Sequence, residues 1–152
     1  MKLIRFGEPG KEKIGVQIAD ENYDVSDFGE DYNESFFESN GISRLRKYIN
    51  ANFESLSTVP PGTRLGVPFA RPSKIVCIGL NYKDHAEETG AAIPSEPIIF
   101  MKSTTALVGP NDDVMIPKNS LKTDWEVEFG IVIAKKASYV TESEALDYVG
   151  GY

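Results

Sequence analysis

The sequence has little of what would announce a chemistry. One cysteine, Cys77, excludes a disulfide within the chain and fits a reducing compartment. It lies in an apolar run and reads as a small core residue rather than a nucleophile. One histidine, His85, excludes the Cys/His spacing of a zinc site. No Gly-rich phosphate loop, no G-x-G-x-x-G turn and no G-x-S-x-G elbow occurs. No apolar run approaches the ~18 residues of a membrane span, and the first residues lack the apolar core of a secretory signal. Positive charge is also short. Lys and Arg number 16 against 23 Asp and Glu, a net charge of −7. That balance argues against a nucleic-acid surface and against docking on an anionic membrane. Together these features point to a cytoplasmic protein. An acidic substrate would need a local positive centre, a metal or a placed lysine.

What is present is an ordinary globular mixture. Hydrophobic residues make up 41% and charged residues 26%, enough for a real core. Residues 2–6, 13–19 and 23–25 read as a meander of short strands. Residues 26–40 hold a turn and a short helix. Over 42–50, Ile42, Leu45 and Ile49 fall on one helical face with basic residues opposite. Residues 57–71 contain Pro60, Pro61 and Pro68, and read as an extended connector. A domain boundary is placed there, giving 1–70 and 71–152. Beyond it, 74–79 and 97–102 read as apolar strands, 81–89 as a helix with Asn81 as its N-cap, and 114–116 as a short strand. Thr141-Glu142-Ser143-Glu144 has the capping-box form and opens a helix over 142–149. Gly150-Gly151-Tyr152 then looks like the entry to a strand with none following. The expectation is a chain cut in mid-domain, or one that needs a partner chain.

The richest stretch is 123–135, T-D-W-E-V-E-F-G-I-V-I-A-K. Val, Ile, Phe and Trp without Pro predict a strand. Alternation puts Trp125, Val127, Phe129, Ile131 and Ile133 on one face, and Glu126, Glu128, Gly130, Val132 and Ala134 on the other. From Phe129 onward both faces are apolar, which predicts burial on both sides. The two carboxylates would then lie roughly 7 Å apart by strand rise. Either a hard cation such as Mg²⁺ compensates them, or they form a solvated face paired with lysines. His85 and Glu88 sit three residues apart on the expected helix. They fit an oriented general base, or a surface histidine on an acidic helix. Lys102 ends an apolar strand, where it could neutralise a substrate carboxylate or simply be solvated.

Four ordered blocks carry a resemblance. I-G-L-N-Y-K-D-H-A-E-E at 78–88, S-E-P-I-I-F-M-K at 95–102, D-W-E-V-E-F-G-I-V-I at 124–133 and A-L-D-Y-V-G-G-Y at 145–152 together resemble the fumarylacetoacetate hydrolase family. The strong part spans about 71–152, and the first part resembles the family's variable N-terminal domain. The resemblance implies an α+β, β-rich fold, a mixed sheet roll, cut in mid-domain and preceded by a small N-terminal β domain. It implies Mg²⁺ (or Mn²⁺ or Ca²⁺) held by Glu126 and Glu128, with an aspartate on a following strand that would fall beyond Tyr152. It implies a water-activating or proton-shuttling pair, His85 and Glu88, and substrate contact by Lys102. The implied reaction is hydrolysis of a C–C bond in a 2-oxo acid or 1,3-dicarbonyl of acylpyruvate type. Isomerase, hydratase, decarboxylase or lyase chemistry stands as the alternative, beside an inactive fragment. The implied partners are the small-molecule substrate and a second copy, or a complementary fragment.

Overall fold

The computed structural model describes residues 1–152. They fall into two compact units, Met1–Ala70 with Val108–Tyr152, and Arg71–Leu107.

In the first unit, short alternating runs form an antiparallel meander of β1 (Lys2–Phe6), β2 (Lys13–Ile18) and β3 (Glu21–Asp24). The register pairs Leu3 with Val16 and Ile4 with Gly15, and then Val16 with Tyr23. Paired residues point to one face of a sheet. Leu3, Ile14, Val16 and Tyr23 therefore share the face that packs the core. Gly15 is required where it stands: an added Cβ would lie 2.8 Å from the Tyr23 carbonyl oxygen. The core face is covered by α1 (Glu34–Glu38) and α2 (Gly41–Asn52). Asn33 caps α1 by accepting the Phe36 N–H at 3.0 Å. Asn40 then turns the chain in the left-handed region, at φ 58°, a conformation Asn tolerates better than most residues. α2 buries Leu45 and Ile49 as the helical spacing predicts, with Ile42 half-buried. Phe28, Tyr32, Phe36, Phe37 and Tyr48 complete the core through edge and tilted ring contacts. The Tyr32 hydroxyl donates to the Gly15 carbonyl at 2.8 Å, so this deeply buried polar group has its partner.

The proline-rich connector is bonded along both edges of the meander. Leu65 bridges Phe6 at the β1 edge and Thr58 bridges Tyr23 at the β3 edge. Backbone bonds from Gly7 to Arg64, Gly66 to Arg5 and Val59 to Asn22 fix it there. Proline is tolerated on such edges because one side of the ladder needs no donor.

In the second unit, β4 (Ile75–Gly79) pairs antiparallel with β5 (Ile98–Lys102), and α3 (Lys83–Thr89) lies between them in sequence. Tyr82, not Asn81, is the N-cap of α3, and no side chain caps it. Gly90 closes α3 in the left-handed region, its N–H meeting the Ala86 and Glu87 carbonyls. The expected burial of β4 is only partial. Val76 and Ile78 are exposed, Cys77 is half-buried and β5 is exposed throughout. A two-stranded sheet on its own buries little apolar surface.

The stretch 123–135 departs most from its pattern. Only β6 (Val132–Ile133) is strand, paired with β7 (Val149–Gly151). Residues 123–131 pair with no strand, and Trp125 and Val127 are 80% and 76% exposed. The apolar pattern is that of a buried strand, but a strand needs a neighbour to bond to. No strand forms over 114–116. The helix expected over 142–149 is a 3-10 helix, Glu142–Tyr148. There Thr141 Oγ1 donates to Glu144 Oε2 at 2.6 Å instead of accepting a backbone N–H.

Candidate functional site

α3 carries His85 and Glu88 at the spacing of one helical face, and both are exposed. The hydrogen bonds made at His85 are backbone ones: its N–H donates to Asp84 Oδ1 at 3.0 Å, and its carbonyl accepts from Thr89 Oγ1 at 2.9 Å. No hydrogen bond joins the imidazole to Glu88. Lys83 and Glu87 form an i,i+4 ion pair at 3.7 Å, on a helix whose one buried residue is Ala86. Lys102 ends β5 opposite Ile75, exposed at the strand terminus. His85, Glu88 and Lys102 thus belong to the unit Arg71–Leu107, whereas Glu126 and Glu128 belong to the other.

Glu126 and Glu128 are exposed and lie in the 123–131 segment, outside any strand. As oxygen donors they match a hard cation in chemistry. In number they fall short, for no group of three His, Cys, Asp or Glu side chains that could hold a metal forms in the chain. An open cleft of about 460 Å³ is lined by Glu38, Lys135, Lys136, Glu144, Asp147 and Tyr148, none of them a candidate site residue from the sequence.

The strongest electrostatic construction is one that sequence reasoning missed. Arg64 grips Asp112 with two parallel bonds, Nε to Oδ1 at 2.7 Å and Nη2 to Oδ2 at 2.6 Å. Its Nη1 donates to Glu12 Oε1 at 3.0 Å and to the Gly7 carbonyl at 2.9 Å. Arg5 makes the same forked contact with Asp31, at 2.8 and 3.0 Å, and approaches Glu12 at 3.9 Å. Asp112 also accepts the Gly109 N–H at 2.7 Å. The Arg64 hydrogen bonds, then that N–H, hold the Asp112 carboxyl below its ordinary value. Burial pushes Glu12 up, but N–H donors of its own backbone and Gly10, with Arg64 and Arg5, bring it below normal on balance. Asp112 and Glu12 raise Arg64 in return. A Gly-Pro-Asn-Asp-Asp loop signals a turn, but nothing in it signals a partner 48 residues earlier.

Residues 74–152 match the family described as fumarylacetoacetate (FAA) hydrolase C-terminal. The chain belongs to the fumarylacetoacetate hydrolase family. The match contains His85, Glu88, Lys102, Glu126 and Glu128. Family relatives in Burkholderia multivorans and Burkholderia cenocepacia, each named "Putative hydrolase", are 45% and 44% identical over 153 residues. A fumarylacetoacetate hydrolase from psychrophilic Exiguobacterium antarcticum superimposes with a TM-score of 0.76 at 26% identity, over 100% of this chain and 53% of that one. The α+β, sheet-rich architecture is therefore the family's. The chain spans about half the length of the curated relatives it matches, 53% in each case. No helix is long and apolar enough to cross a membrane.

Proposed function

We propose that the protein serves a metal-dependent hydrolase that cleaves a C–C bond in a 2-oxo acid or 1,3-dicarbonyl of acylpyruvate type. The observation that carries this reading is the family match over 74–152, which includes His85, Glu88, Lys102, Glu126 and Glu128. Glu126 and Glu128 would hold Mg²⁺ or Mn²⁺, because carboxylate oxygens suit hard cations. When bound, the cation supplies positive charge where the substrate oxygens gain negative charge. His85, three residues before Glu88 on α3, takes a proton from water as it adds to the acyl carbonyl. Glu88 orients the imidazole and steadies the imidazolium that forms. The C–C bond then breaks, the acyl part leaves as a carboxylic acid, and the electron pair passes to the 2-oxo acid fragment as its enolate. The imidazolium returns a proton to that carbon. Lys102 neutralises the substrate carboxylate, a role suited to an exposed cation at a strand end. The site is cytoplasmic on the charge and cysteine argument, and the working form is a dimer or a pairing with a complementary chain.

The test is Mn²⁺-dependent release of pyruvate from acetylpyruvate, with metal binding followed separately by calorimetry. Glu126→Gln should remove most metal binding and most turnover, since an amide is a poor ligand for a hard cation. His85→Ala should lower kcat by about 10²–10⁴-fold and leave metal affinity nearly intact. Equal metal affinity in wild type and Glu126→Gln would remove these glutamates from the site.

A further inference from the structure

Residues 121–131 carry the alternation of a strand and belong to no helix or strand. Leu121, Thr123, Trp125, Val127, Phe129 and Ile131 fall at odd positions and would share one face of an extended chain. The apolar ones are exposed, Leu121 at 95%. The even positions divide by charge. Lys118 and Lys122 come first, then Asp124, Glu126 and Glu128. A segment basic at one end and acidic at the other complements a second copy of itself in the antiparallel sense. An in-register parallel pair would set every charge against its own kind. The register follows from the same charges. A pair centred on Val127 sets Glu126 against Glu128, and one centred on Glu126 or Glu128 sets that residue against itself. A centre at Trp125 sets Asp124 against Glu126, and a centre at Asp124 sets that residue against its own copy. Centred on Thr123, no like charges face each other: Lys122 faces Asp124, Leu121 faces Trp125 and Ser120 faces Glu126, each twice. Centres beyond Glu128 draw in Val132 and Ile133, already paired with β7. Centres before Thr123 run into a turn, where the Ser120 N–H donates to the Pro117 carbonyl at 3.0 Å and Asn119 takes φ 68°.

We propose that residues 120–126 are a docking strand for a second copy of this chain: the segment takes up strand structure as it pairs antiparallel with its counterpart, about a two-fold axis at Thr123. The partner copy supplies the ladder donors and acceptors that a lone extended segment must find in water. Two Lys122–Asp124 pairs and two Leu121–Trp125 pairs fix the register. An isolated two-stranded ribbon is marginal, so the pairing belongs at high concentration. The inference is independent of the metal reading above.

The test uses the full chain, from micromolar to millimolar concentration at about 0.15 M salt. Light scattering gives the mass and the infrared amide band gives the strand content, and in wild type both should rise together. Lys122→Glu should raise the dissociation constant on the order of tenfold, since two opposite-charge pairs become like-charge pairs. Lys47→Glu makes the same change of charge on the exposed side of α2 and should differ little from wild type. Lys122→Glu combined with Asp124→Lys exchanges the two charges and should restore both the mass and the strand content. In a Cys77→Ser background, oxidised glutathione should link copies of Thr123→Cys well ahead of Asn50→Cys, an exposed position on α2. None of the substituted positions belongs to the core, so the variants keep the fold. A mass that stays that of one chain up to millimolar concentration overturns the proposal. A mass that rises with no gain of strand, or that falls no further in Lys122→Glu than in Lys47→Glu, assigns association to apolar surface alone and overturns it too. Strand gain without rescue in the exchanged variant, or linking in Thr123→Cys no faster than in Asn50→Cys, puts another register or another face in its place and equally overturns it.

Discussion

The low proton affinity of Asp112 depends chiefly on Arg64, and that of Glu12 on its backbone N–H and then on Arg64, and this makes a pH prediction specific. Both are held below their ordinary values in the folded protein. A carboxyl depressed on folding contributes stability that is fully present above its unfolded value, about 4, and is lost as pH falls through the folded value. The Tm should therefore be flat with respect to these groups from about pH 5 to 7, about one unit or more above the unfolded value, and should fall below about pH 4. In Arg64→Gln both carboxylates lose a guanidinium partner. That variant should melt lower at neutral pH and show a shallower fall below about pH 4. Thermal unfolding followed by circular dichroism across this range checks it, with Arg5 and Asp31 the remaining charged groups at the junction. An equally steep acid fall in the variant would assign the pH dependence elsewhere. Tyr32 is the neutral counterpart. Burial, with Asp31 beside it, raises its hydroxyl above the usual phenol range, so it stays a donor to Gly15 at any ordinary pH. Tyr32→Phe should cost about 0.5–1.5 kcal/mol, the net contribution of one such hydrogen bond. Chemical denaturation measures it directly.

α2 is the element whose sequence says most about its place. Leu45 is fully buried among Tyr32, Phe36 and Val16, so Leu45→Ala should destabilise the protein by about 2–5 kcal/mol. Ser43→Ala, on the exposed side of the same helix, should change stability by less than about 0.5 kcal/mol. The urea midpoints of the two variants test the pair. The same contrast explains which elements were legible. β1, β2, β3 and α2 make their bonds locally or with the next element, so Ile4 and Phe6, Ile14 and Val16, Leu45 and Ile49 carry their own periodicity. The 123–131 stretch has an equally clear period of two, yet it forms no ladder, because register with a neighbour lies outside the reach of a local pattern. At the candidate site, the His85–Glu88 spacing was legible because a helix repeats every 3.6 residues. The bond of Arg64 to Asp112 was not, because ion pairs between distant segments leave no periodic trace. Where the connector lies was illegible for a related reason. Its prolines signal extended backbone but cannot say that the extended backbone lies bonded along a sheet edge.

At the scale of the whole molecule, charge and apolar surface act in opposite directions, and the balance makes the last prediction. The net charge of −7 repels copies from one another. Against it stand exposed apolar side chains within each unit. β5 exposes Ile99 and Met101 beside Val76 and Ile78 of β4 on one face and Ile98 and Phe100 on the other, and the other unit exposes Trp125, Val127, Phe129 and Ile131. Soluble monomers rarely show contiguous apolar patches of more than a few hundred Å². β4 and β5 also each keep one edge without a bonded strand, and such edges pair with other chains. In a purified sample the one partner on offer is another copy of this chain, so self-association is the expected outcome. It should strengthen with salt, since added ions shorten the reach of the repulsion to about 8 Å at 0.15 M while leaving apolar burial in place. Trp125 is the single tryptophan and is 80% exposed, so its emission reports the event on its own. Light scattering over rising concentration should give a mass above 16.8 kDa, with a blue shift of the Trp125 emission in step. Phe100→Ser and Phe129→Ser should each weaken association, and Phe53→Ser, at an exposed aromatic outside both patches, should not. A mass that stays at 16.8 kDa from micromolar to millimolar concentration at 0.15 M salt, with Trp125 emitting as in water throughout, would show that repulsion between acidic surfaces outweighs the apolar faces.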